Sequence, residues 1–177
     1  MTTTPLPEPA TAGNRSGGEG TESEGGSVFV SNYPPFSSWS ADQLGHVHEA
    51  LDAPPRPGTD LGLYLHIPFC RKRCKFCYFR VYTDKKYDEI GAYMDAMARE
   101  VELYAGKRAV AGRKPRFVYF GGGTPSYINP KQLRDLVARV QAVFPWDDVE
   151  EVTFACEPGT LSQARLETDK EVGVTRM

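Results

Sequence analysis

The chain has 177 residues, with 21 basic against 23 acidic side chains and a formal net charge of −2. That length is the size of one domain, and the near-neutral balance gives no global excess of cations to draw a nucleic acid. No apolar run is long enough to span a membrane, and four cysteines without a secretory-type start point to a reducing, cytoplasmic compartment rather than a disulfide framework.

Residues 1–27 are Pro, Gly, Ser, Thr and Glu with almost no large apolar side chain, so they are expected to be a disordered tail. Residues 28–60 form a segment of their own ahead of the main fold. Within it Ser40-x-x-Gln43 suggests a capping box opening a short helix to about Leu51, and the Pro-rich run at 54–58 breaks the chain. His46 and His48 are two apart, do not share a helix face, and are expected at the surface.

Leu61 to Ile67 alternates apolar and other residues, the pattern of a strand. From Lys85 to Tyr104 the residues Ile90, Met94, Met97, Val101 and Tyr104 recur at helical spacing. Arg116 to Phe120 is a short apolar run, expected as a buried parallel strand. Asn129-Pro130 supplies a cap and a first-turn proline for a helix buried through Leu133, Leu136, Val137, Val140 and Phe144. Glu151 to Cys156 is expected as a third strand. Thr160-x-x-Gln163 would open a third helix, Gly173 would end it, and Val174 to Met177 would begin a fourth strand. Strand and helix thus alternate, which predicts an α/β fold with a parallel sheet, residues 61–177 being its core.

Between the first strand and the first long helix, Cys70, Cys74 and Cys77 are spaced C-x3-C-x2-C. Three thiolates on one tight loop can hold three irons of a 4Fe-4S cube and leave the fourth iron without a protein ligand. A structural zinc site would need a second ligand pair, and none follows. The cations Arg71, Lys72, Arg73 and Lys75 surround these cysteines; a solvated loop is their plain reading, and positive charge also favours the thiolate. After the second strand come Gly121, Gly122, Gly123, Thr124 and Pro125. Three glycines expose bare backbone to whatever lies against them, although a tight turn explains them as well from the residues alone. Cys156 stands apart on the third strand, where a small buried hydrophobe is the ordinary role.

The joined motifs YLHIPFCRKRCKFC and FGGGTPSY resemble those of radical S-adenosylmethionine (SAM) enzymes, in the branch of the oxygen-independent coproporphyrinogen III oxidases and the related heme chaperones. The resemblance runs from about Asn32 to the C-terminus. It implies a TIM-like partial barrel of six β/α units, of which 61–177 would be the N-terminal half, and hence a truncated chain. It implies two cofactors, a 4Fe-4S cluster on Cys70, Cys74 and Cys77, and SAM. The methionine end of SAM would lie on Gly121, Gly122, Gly123 and Thr124, with Tyr64 near the sulfonium and Phe76 beside the adenine; strand and loop packing is the alternative for these two rings. His66 would have a packing or hydrogen-bonding role. The implied chemistry is one-electron cleavage of SAM to a 5'-deoxyadenosyl radical, followed by hydrogen abstraction from a substrate. In the oxidases this ends in oxidative decarboxylation of tetrapyrrole propionates, in porphyrin and heme biosynthesis. The implied partners are a small tetrapyrrole-like substrate and an electron donor such as flavodoxin or ferredoxin.

Departures from the family pattern mark particular positions. Ala155 stands where the family carries a SAM-contacting glutamate, and Glu157 where it carries Asn or Asp, so Glu157 is the candidate substitute. Phe79, two past the third cysteine, is closer to the heme chaperones. Asp169 falls where an apolar helix contact is expected. A heme-binding chaperone relative and a non-catalytic remnant are therefore the alternatives to an oxidase.

Overall fold

The sheet is parallel and its strands lie in sequence order. In the computed structural model, which describes residues 39–77 and 79–177, β1 (Leu61–Ile67) pairs with β2 (Pro115–Gly122), and β2 pairs with β3 (Glu151–Phe154). The expected tail at 1–27 and residues 28–38 of the segment that follows it lie outside the described residues. β1 has the bounds its alternation predicts. β3 ends at Phe154, so Ala155 and Cys156 fall in the loop and not on the strand as expected; Ala155 N still donates to Phe120 O at 3.0 Å.

Among the described residues four α-helices accompany the strands: α1 (Leu44–Asp52), α2 (Tyr87–Ala105), α3 (Pro130–Val143) and α4 (Gln163–Glu171). α1 is entered through a 3-10 turn at Ala41–Gln43, so its first helical residue follows Gln43 instead of following Ser40. Both of its histidines are exposed. α2 begins two residues later than its periodicity suggests, because the Glu89 carboxylate accepts from the backbone N–H of Lys86 at 3.1 Å and sets the cap there. Ile90, Met94 and Met97 are buried as expected, whereas Tyr104, in the last turn, is 43% exposed.

α3 starts where Asn129-Pro130 predicts. Asn129 Oδ1 accepts from the Lys131 amide at 2.8 Å, and the proline has no N–H to leave unsatisfied. Its five apolar positions Leu133, Leu136, Val137, Val140 and the following Phe144 are all buried, each contributing roughly 1.5–3 kcal/mol.

α4 departs from expectation at its start. Thr160 ends a 3-10 turn at Pro158–Thr160, and its hydroxyl donates back to Glu157 O at 2.7 Å. Ser162 is the cap, accepting from the Arg165 amide at 3.2 Å. The helix ends at Gly173 as expected, in a left-handed conformation with φ +88°. The Gly173 amide donates to Lys170 O at 3.1 Å and the Val174 amide to Asp169 O at 2.9 Å, the paired bonds of a Schellman stop. Beyond it Arg176 makes an isolated parallel bridge to Thr153, the first contact of a fourth strand.

The two faces of the sheet differ. Leu65, Ile67, Val118, Phe120, Val152 and Phe154 enter one core with the buried side chains of α2 and α3. On the opposite face Tyr64, Phe117 and Tyr119 are 57, 48 and 40% exposed. Parallel strands in order, with α2 and α3 covering a single face, are a segment of barrel wall, and the aromatic face is its inner side.

Candidate functional site

Because β1 and β2 are parallel, the loops leaving their C-terminal ends lie side by side, where α/β barrels place their active sites. Backbone pairing carries on past the strands into both loops. Gly123 N donates to Ile67 O at 2.8 Å, and Thr124 N donates to Phe69 O at 2.8 Å. The cysteine loop is closed from its far side as well: Tyr82 N donates to Pro68 O at 2.8 Å and Cys70 N to Tyr82 O at 3.0 Å.

These bonds press the glycine loop onto the first cysteine. A Cβ at position 123 would stand 2.8 Å from Cys70 Sγ and 2.8 Å from Phe69 O, so only glycine fits there. The Thr124 hydroxyl donates to Cys70 Sγ at 3.4 Å. That contact fixes the direction of the Cys70 side chain at the meeting point of the two loops.

The other cysteines are less constrained. Cys70 is buried, Cys74 exposed and Cys77 half-buried, and none is in a disulfide. Cys77 N donates to Cys74 O at 3.1 Å, forming a turn, and Arg73 Nη2 donates to Cys77 O at 2.9 Å. Among the described residues no three His, Cys, Asp or Glu side chains stand together as a ligand group. The sulfurs therefore share one loop without being gathered. The donor set of three free thiols suits iron–sulfur ligation, and ligand binding itself supplies ordering energy to such loops.

The inner face of the sheet lines the approach. Tyr64 and Tyr119 are register partners, and their rings stack with centroids 5.8 Å apart at 19°. A Cβ at Gly121 would meet Tyr119 Cε1 at 2.4 Å and Tyr64 Cε2 at 2.9 Å. Tyr64 Oη and His66 Nδ1 are hydrogen-bonded at 2.9 Å, which bears out a hydrogen-bonding role for the imidazole. Gly122, at φ +114°, lies under the His66 ring, 2.9 Å from where its Cβ would be. Burial raises the Tyr64 pKa, with Tyr119 adding to the effect, and burial lowers that of His66. Both groups are thereby held neutral at physiological pH.

Phe76 is placed differently from these rings, 86% exposed on the cysteine loop. Glu157 is half-buried; its amide donates to Ser126 Oγ at 3.1 Å. Ser126 Oγ also meets the Thr160 hydroxyl, so one serine ties the loop after β2 to the loop after β3. Sequence reasoning missed Ser126, Tyr119 and Phe117. The last two follow from strand alternation once the register against β1 is known, and register is what a single sequence withholds.

Comparison with known proteins agrees with this geometry. The model of the radical SAM superfamily matches residues 64–177. The chain belongs to the radical SAM superfamily. An oxygen-independent coproporphyrinogen III oxidase of Cereibacter sphaeroides is 30% identical over 144 residues, 81% of this chain and 31% of its own. The oxidase of Escherichia coli K12 is 28% identical over 148 residues, 82% and 31%. A heme chaperone HemW of Mycobacterium tuberculosis is 33% identical over 125 residues, 70% and 32%. The solved coproporphyrinogen III oxidase of E. coli, described as a radical SAM enzyme, superposes with a TM-score of 0.70 at 27% identity, covering 84% of this chain and 33% of that one. The chain thus spans about a third of the length of these relatives. Family membership implies SAM and an iron–sulfur cluster. Among the described residues no helix is long and apolar enough to cross a membrane.

Proposed function

We propose that this chain carries the cofactor-binding part of a radical SAM oxidoreductase of the coproporphyrinogen III oxidase type. The observation that carries the reading is the seating of Gly123 and Thr124 against Cys70, which joins the two motif loops into one site. Cys70, Cys74 and Cys77 would hold a 4Fe-4S cluster. The backbone of Gly121, Gly122, Gly123 and Thr124 would receive the amino-acid end of SAM. When bound, the pair supplies one-electron reductive cleavage of the sulfonium and so a radical oxidant.

The chain's own residues have definable tasks. Thr124 keeps a donor on the Cys70 sulfur. The neutral Tyr64–His66 pair and the Tyr119 ring line the inner face and would pack against the bound SAM. Glu157, anchored through its amide and two residues past Ala155 in the chain, would supply the carboxylate that Ala155 lacks. Phe76 would cover the adenine if the cysteine loop folds inward on loading. The substrate class is a tetrapyrrole bearing propionates, oxidatively decarboxylated in a cytoplasmic setting.

A second reading, a heme-binding chaperone, is favoured by Phe79 after the third cysteine and by the 33% identity to a heme chaperone. The test is anaerobic loading with iron and sulfide, then incubation with SAM, a reductant and coproporphyrinogen III. Release of carbon dioxide with 5'-deoxyadenosine supports the oxidase. Stoichiometric heme binding without turnover supports the chaperone. Neither result, from a chain that folds, would mean a non-catalytic remnant.

A further inference from the structure

Two opposite charges from different loops meet at one point of the mouth. Arg71 follows Cys70 in the loop after β1, and Glu157 lies in the loop after β3. A Cβ at Gly159 would stand 3.7 Å from Arg71 Nη2 and 3.7 Å from Glu157 Oε1, so the two groups are no more than twice that distance apart. Among the described residues they form no direct ion pair with each other.

Both side chains leave from fixed backbone. The Cys70 amide donates to Tyr82 O at 3.0 Å and its sulfur accepts from Thr124, which sets where Arg71 departs. Glu157 is held at both of its peptide groups: its amide donates to Ser126 Oγ at 3.1 Å, and its carbonyl accepts from the Thr160 hydroxyl at 2.7 Å. β2 stands between β1 and β3 in the sheet, so Arg71 reaches from one neighbour of the glycine loop to the other. Gly159 is exposed and adds no side chain to the gap.

A cation and an anion held apart over bare backbone match the head of an α-amino acid, whose carboxylate and amino group are joined through one carbon. A guanidinium grips a carboxylate with its forked N–H donors, and a carboxylate accepts from an amino group. Phosphate would be repelled by Glu157 and a simple cation by Arg71, so the gap selects against both. We propose that Arg71 is a specificity-determining residue that holds the carboxylate of the amino-acid end of SAM, with Glu157 opposite it on the amino group. The inference rests on the reading of the glycine loop as the seat of SAM and adds to that seat a side chain from the cysteine loop.

The test measures binding of SAM, and of 5'-methylthioadenosine, which lacks the amino-acid end, by anaerobic calorimetry on the full chain loaded with iron and sulfide and kept without reductant. Iron is counted in the same samples. Arg71→Gln and Glu157→Gln are each expected to weaken SAM about ten-fold and to leave methylthioadenosine within about two-fold, with iron content unchanged. Arg71→Lys keeps the charge without the fork and is expected to fall between Arg71→Gln and the native chain. Arg80→Gln, which removes another exposed cation of the same segment, is expected to match the native chain. Losses that fall equally on both ligands, or an Arg80→Gln effect equal to that of Arg71→Gln, would overturn the assignment. A double variant that binds SAM no worse than either single one would also overturn it, because that marks a direct ion pair in place of two grips on one ligand. Native iron content and SAM binding in Arg71→Gln would remove Arg71 from the site and leave the cofactor reading standing. A native chain that binds no SAM would sink both.

Discussion

Gly123 rests directly on Cys70: the space a Cβ would fill lies 2.8 Å from the thiol sulfur, and the Gly123 amide is tied to Ile67 O at 2.8 Å. The contact joins the C-terminal end of β1 to that of β2 at the point where both motifs converge. It makes the second motif a mechanical part of the first.

Gly123→Ala is therefore expected to displace Cys70 or break the bond to Ile67. Overpacking of this kind costs about 1–3 kcal/mol. The expected result is a lower thermal midpoint together with reduced iron uptake, whereas Gly45→Ala, in helix α1 with open space around its Cβ, should not lower the midpoint and should leave iron uptake unchanged. Equal iron uptake by Gly123→Ala and the native chain would show that the two loops are independent.

His66 titrates below its usual value of 6.5 because burial disfavours the imidazolium. The folded chain then binds fewer protons than the unfolded one as pH falls through that value. This contribution to stability is complete above about 6.5 and is lost progressively as pH drops toward the folded midpoint. A proton NMR titration should place the His66 midpoint under 6.5, and His66→Gln should flatten the fall of denaturation midpoint between pH 7 and 5.

Arg165 and Asp169 form a buried ion pair within α4, 2.9 Å apart, with side chains 3 and 2% exposed. Burial opposes both charges, lowering the Arg165 pKa and raising that of Asp169. Arg165 also donates to Ile128 O at 2.7 Å and lies over the Phe154 ring at 4.7 Å. Asp169→Ala should cost about 3–5 kcal/mol by leaving the guanidinium uncompensated. Replacing both by leucine should cost much less, with urea melts of the single and double variants showing the non-additivity.

Much of the fold was legible because local chemistry and tertiary packing agree. Leu61–Ile67 alternates because one side of β1 is core. Asn129-Pro130 and Gly173 carry their cap geometries in their own side chains or lack of one. α4 was harder, because its buried residues include Arg165, Thr168 and Asp169 and so show no apolar stripe; Asp169 looked misplaced only because its partner, four residues away, is invisible as buried. The misplaced start at Thr160 has a similar origin: its hydroxyl is used by Glu157 and Ser126, and Ser162 two residues on caps instead. At the site, the cysteine and glycine motifs were plain. The Tyr64–Tyr119 stack was not, since it depends on which residue of β2 stands beside which of β1.

Asn129 Oδ1 caps α3, and Gln132 answers it by accepting from Asn129 N at 3.4 Å and donating to Tyr87 O at 2.8 Å. One side chain thus links the starts of two helices near the site. Asn129→Ala should cost about 1 kcal/mol. Gln132→Ala should cost more, because it also leaves Tyr87 O without that partner; chemical denaturation of the two variants measures the difference.

The most direct measurement is iron and sulfide content after anaerobic loading of the native chain and of Cys70→Ala, Cys74→Ala, Cys77→Ala and Cys156→Ala. The account predicts about four irons per chain in the native protein and in Cys156→Ala, with loss in each of the other three. Equal iron in all five, or dependence on Cys156 in place of any loop cysteine, would contradict it.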